Sequence, residues 1–75
     1  MKRPVPVETL IMDLVKEKGD IWFDDLMQAL RAWYPDITET EVLKALMRLE
    51  LGRLIIVYRV VKKDGATYHI RAVKE

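Results

Sequence analysis

Arg59, Lys62, Lys63 and Arg71 surround a Lys63-Asp64-Gly65 turn in a stretch that otherwise mixes apolar and polar residues strand-fashion. Four cations spaced in this way suit one kind of chemistry. They can hold an anionic backbone by displacing its counterions, without reading its sequence. The same charges would also discourage an exposed hairpin from pairing edge to edge with another chain. The chain as a whole carries only +1, but the charge is unevenly placed. Residues 1–43 hold five Lys/Arg against nine Asp/Glu, a balance of −4, whereas residues 44–75 hold eight against three, a balance of +5. A polyanion responds to this local excess rather than to the total.

Other reactive side chains are sparse. His69 is the sole histidine and there is no cysteine, so the converging ligands of a zinc site are missing. Beside Arg59 and Arg71, His69 suits a phosphate contact or a plain surface position. Asp24 with Asp25, and Glu39 with Glu41, fall where helices begin, and capping or helix-dipole roles account for them. There is no glycine-rich phosphate loop and no nucleophile-base pairing. The expectation is a protein without catalytic residues, metal or small-molecule cofactor.

With 75 residues the chain makes one domain with a small core, and without cysteines its apolar residues must carry the fold alone. No uninterrupted apolar run approaches the roughly 18 residues of a membrane span, and no basic-then-apolar leader is present. A soluble, cytoplasmic protein is expected. Asn, Ser and Cys are absent, Gln28 is the sole glutamine, and a third of the residues are charged. That depletion of thermolabile side chains resembles a thermophile signature and suggests an archaeal source.

The elements that must position the cations follow from periodicity. Residues 1–7, with Pro4 and Pro6, form an extended arm whose Lys2 and Arg3 could touch a backbone phosphate. A domain over 8–75 follows. Its first helix runs from Glu8 to Lys18, with Val7, Leu10, Ile11, Leu14 and Val15 on one face and Gly19 as the stop. Asp20 to Phe23 is a short extended link. The second helix buries Leu26, Ala29, Leu30 and Trp33, flanked by Met27 and Tyr34, and ends at Pro35. Thr38 caps the third helix, with Glu41 completing a capping box. Val42, Ala45, Leu46 and Leu49 point inward, and Gly52 closes that helix. In the hairpin, a three-residue loop over Lys63-Asp64-Gly65 pairs Val60 with Tyr68, Tyr58 with Ile70 and Ile56 with Ala72. This register makes one face apolar and leaves Arg59, Val61, Thr67, His69 and Arg71 on the other. Gly65 then takes a left-handed position beside a type I turn.

The run Thr38-x₃-Val42-x₂-Ala45-Leu46-x₂-Leu49-x₂-Gly52-x-Leu54-Ile55, followed by Asp64-Gly65-x₂-Tyr68-x-Ile70, resembles the winged helix-turn-helix superfamily of small bacterial and archaeal transcription regulators. Gly19-Asp20-Ile21 through Leu26-x₃-Leu30 is similar to the approach to that fold's second helix. The likeness covers about residues 8–73 and lies in core and turn positions, which speak to fold more than to function. It implies an α+β winged helix: a three-helix bundle with a helix-turn-helix, a C-terminal two-stranded wing, and a short strand after the first helix. It further implies that the third helix enters a major groove while the wing lies along the backbone.

Two functions are expected from this pattern. In the first, the protein binds duplex DNA as a transcription regulator or chromatin factor, through Thr40, Lys44 and Arg48 of the third helix and Arg59, Lys62, Lys63 and Arg71 of the wing. In the second, the domain is a protein-interaction module in a transcription, replication or membrane-remodelling assembly, or it self-associates. Leu43, Met47 and Leu51 favour the second, because they place an apolar strip where a base-reading helix usually offers Arg, Asn, Gln or Ser.

Overall fold

A computed structural model describes residues 6–73 of the chain. The elements are α1 (Val7–Lys18), β1 (Asp20–Trp22), α2 (Phe23–Arg31), α3 (Glu39–Leu51), β2 (Ile55–Lys62) and β3 (Gly65–Ala72). The result is an α+β domain in which three helices lie against an antiparallel sheet of order β1-β3-β2. Helix α1 takes in Val7, which was expected in the arm; residues 1–5, with Lys2 and Arg3, lie outside the described residues.

The helices bury most of the stripes their periodicity predicts, but Val7, Leu14 and Ala29 are only half-buried. Leu10, Ile11 and Val15 of α1 and Val42, Ala45, Leu46 and Leu49 of α3 are buried. Gly19 stops α1 at a φ of 82°, where a side chain would be strained, and its N–H donates to the Val15 carbonyl at 2.7 Å. Phe23, expected in the extended link, is instead the first residue of α2. It is buried edge-on against the Tyr68 ring at 5.7 Å.

Helix α2 ends at Arg31, earlier than Pro35, and this corrects the expected core. The N–H groups of Trp33 and Tyr34 both donate to the Leu30 carbonyl, at 3.0 and 2.8 Å, so the chain turns tightly there. The turn swings Trp33 off the buried stripe to 60% exposure, while Tyr34 packs against the core. Ile37, read as part of the turn, is buried instead. Met27, expected at the flank of α2, is buried as well.

Thr38 and Glu41 form the expected capping box. Thr38 N–H donates to Glu41 Oε1 at 2.9 Å, and Glu41 N–H donates to Thr38 Oγ1 at 3.2 Å. At the other end of α3 the glycine does not take the left-handed position. Gly52 has a φ of −79°, and Arg53 carries the positive φ, 62°. Leu54 N–H then reaches back to the Leu49 carbonyl at 3.0 Å, the bond that closes a helix end of this type. A left-handed non-glycine residue costs about 1 kcal/mol or more. Arg53→Gly is therefore expected to raise the thermal midpoint by about 4–8 °C, the shift that roughly 1 kcal/mol gives a domain of this size. A melting curve that does not move, or moves down, would show that Arg53 is unstrained.

The hairpin register differs from the expected one. Lys62 pairs with Gly65 across a loop of just Lys63 and Asp64, and the ladder continues through Arg59↔Tyr68, Val57↔Ile70 and Ile55↔Ala72. Neither loop residue has a positive φ, so Gly65, at 137°, absorbs the backbone excursion. The core selects this register. Ile21 pairs with Ile70 and both are buried, so placing Val57 beside Ile70 completes an aliphatic row across the three strands. Alternation along a strand then turns Ile56, Tyr58 and Val60 outward.

Candidate nucleic-acid interface

The corrected register redistributes the expected contacts. Paired residues in an antiparallel ladder share a face. Arg59 pairs with Tyr68 and so lies on the helix side of the sheet. Arg71 pairs with Ile56, on the outer face with His69 and Thr67. The grouping of Arg59 with His69 and Arg71 on one face is thereby overturned, because one step along a strand reverses every side chain. Lys62 ends β2 on the outer side, and Lys63 stands at the tip. All four cations are exposed. The hairpin therefore presents positive charge on both faces and at its end rather than on one plane.

On α3, Thr40 and Lys44 are exposed. Arg48 is not free to the same degree, because its Nε is paired with Glu8 Oε2 of α1. A hydrogen bond from its own backbone N–H, reinforced by Arg48, holds the Glu8 carboxyl below its ordinary range. The pairing takes up Nε and offsets part of the charge, while the side chain stays 58% exposed, so a phosphate would meet Arg48 beside a carboxylate. Glu41 is folded back into the Thr38 cap.

The expected apolar strip is divided. Met47 and Leu51 are 59% and 82% exposed, but Leu43 is half-buried against the core. Leu43, Leu46, Met47, Val57 and Tyr68 line a groove of about 230 Å³ between α3 and the hairpin, with Glu50 at its rim. A second cleft lies between the starts of α2 and α3 and the hairpin tip, and the carboxylates of Asp24, Glu39 and Asp64 border it. Among the described residues Lys62 is the one cation of the cleft, and the three acids outnumber it, so the N-terminal end of α3 is a poor seat for a phosphate, although a helix N-terminus would otherwise attract one.

The outer face of the sheet holds a feature that the periodicity did not reveal. Trp22, His69 and Tyr58 stand in one row across β1, β3 and β2. Trp22 and His69 stack with centroids 4.5 Å apart, and Tyr58 lies 6.3 Å from His69 at a tilt of 33°. His69 Nε2 is 2.9 Å from Asp20 Oδ2. The signal was available in the alternation 56, 58, 60 against 67, 69, 71, but a one-residue error in register hides it.

Among the described residues, no three His, Asp or Glu side chains converge as metal ligands, and no helix is long and apolar enough to cross a membrane. Compared with protein-family models, with curated proteins and with solved structures, the chain gave no match in any of the three.

Proposed function

We propose that the chain is a winged-helix protein that binds duplex DNA chiefly through its hairpin, with little dependence on base sequence, in the manner of a chromatin or transcription factor. The observation that carries this reading is the exposure of Arg59, Lys62, Lys63 and Arg71 on both faces and the tip of one hairpin. Charge so distributed can meet phosphates on either side of the hairpin, and phosphate contacts position a protein without specifying bases. Helix α3 adds Thr40 and Lys44 but exposes Met47 and Leu51 where hydrogen-bonding side chains would read a groove. The acids around its first turn keep that end away from the backbone.

Titrating two short duplexes of unrelated sequence tests this. Four phosphate contacts give a log-log slope of about −3 to −4 between roughly 50 and 200 mM salt, and the two duplexes should bind about equally. A slope near zero would end the hairpin assignment, and a strong preference for one sequence would end the claim of sequence tolerance.

A second reading is favoured by the groove of Leu43, Met47, Val57 and Tyr68. Its rim includes Glu50, and Asp24, Glu39 and Asp64 lie along the neighbouring cleft. It suits an apolar side chain flanked by basic residues on a protein partner. Folded protein that ignores duplex DNA at low salt would turn the assignment to this groove.

A further inference from the structure

We infer that the outer face of the sheet is a stacking platform for the unpaired bases of single-stranded nucleic acid. The inference rests on the nucleic-acid reading above and shares Lys62 and Arg71 with it; the aromatic row is what it adds. The starting observation is the row of Trp22, His69 and Tyr58, which spans every strand of the sheet. Trp22 and Tyr58 sit at its two ends and are 42% and 43% exposed. His69 lies between them, stacked on Trp22 and held at Nε2 by Asp20. The Trp22–His69 stack, with Tyr58 tilted beyond His69, is a partial version of what stacked bases form, and a base can add to the row at its exposed rings.

Charge identifies the occupant. Lys62 Nζ lies over the Trp22 ring, 5.9 Å from its centroid, and Arg71 projects from the same face between Ile56 and Asp20. The carboxylate that β1 contributes to this face, Asp20, is engaged by His69. A cation one ring-width from a stacking surface matches a base attached to its own phosphate. An apolar protein partner has no use for that pairing. In a duplex the base faces are already covered by their neighbours, so these rings offer a duplex nothing beyond the cations. The surface therefore discriminates in favour of unpaired strands, where base-aromatic stacking tolerates any sequence. Cross-strand packing of rings can also stabilise a sheet without any ligand, and the experiment separates the two.

The probes are oligothymidylate and a short duplex, each followed by anisotropy at one salt concentration. Trp33→Phe leaves Trp22 as the sole tryptophan, and Trp33 lies off this face at 60% exposure. In that background, saturating oligothymidylate is expected to quench the Trp22 emission. Trp22→Leu and Tyr58→Leu are each expected to weaken oligothymidylate binding about tenfold while duplex affinity changes less than about twofold. If a leucine variant fails to fold, the quenching measurement on the intact face decides. Binding of oligothymidylate without quenching overturns the platform, as does equal weakening of both probes, or loss of stability with affinity unchanged. Sedimentation showing a dimer that Trp22→Leu dissociates would assign the face to a second copy of the chain instead. Failure with oligothymidylate while the duplex still binds sinks this inference alone; failure with both probes removes the hairpin reading as well.

Discussion

Ile70→Ala is expected to cost about 2–5 kcal/mol of folding stability, the range for deleting most of a buried isoleucine. Ile70 is fully buried on the middle strand, with Ile21 and Val57 as its neighbours in the ladder. Truncation removes its transfer energy and leaves a space that the strands on both sides cannot easily close. A domain of this length holds only about 4–11 kcal/mol in total, at roughly 0.05–0.15 kcal/mol per residue. No disulfide is available to offset the loss. Urea denaturation should show the midpoint falling by roughly a fifth or more, or no folded baseline at all. Leu51→Ala is the comparison, since Leu51 is 82% exposed and should change stability by less than about 0.5 kcal/mol. An Ile70→Ala variant as stable as the parent would mean that β3 does not place Ile70 inward, and the aromatic row on the other face would fall with it.

The second large effect concerns binding. Replacing Arg59, Lys62, Lys63 and Arg71 together with alanine is expected to lower duplex affinity on the order of 10³-fold near 0.1 M salt. Each phosphate contact contributes about eightfold there relative to 1 M, and four contacts multiply. Folding should survive, because all four side chains are exposed. The salt slope should flatten by about 3–4 in the same variant, and this flattening is the sharper readout because instability cannot mimic it. Arg48→Ala is the informative control. It lies off the hairpin and its Nε is paired with Glu8, so its loss should change the slope by no more than about 1, the share of a single contact. A steep slope in the fourfold variant that vanishes with Arg48→Ala would move the phosphate contacts to α3.

Much of the architecture was legible in the sequence, and the legible part is local. The Thr38–Glu41 capping box, the Gly19 stop and the buried stripes of α1 and α3 depend on residues one to four apart, whose geometry the helix itself dictates. The basic hairpin was legible too, as an element and as a charge excess. Its two faces were not. Two registers one step apart share the same alternation, and the choice was made by Ile21 and the helices packing against Ile55, Val57 and Ile70. That choice put Arg59 and Arg71 on opposite sides and assembled Trp22, His69 and Tyr58, which come from three strands, into one row. Trp33 left the core for a related reason: the chain turned after Arg31, and Tyr34 and Ile37 filled the space. Arg48 found a partner for its Nε in Glu8, forty residues away in sequence. Local spacing therefore determined which elements form and which residues are charged or apolar. Tertiary packing decided which of those residues face one another, because contacts between distant segments depend on how the whole core closes.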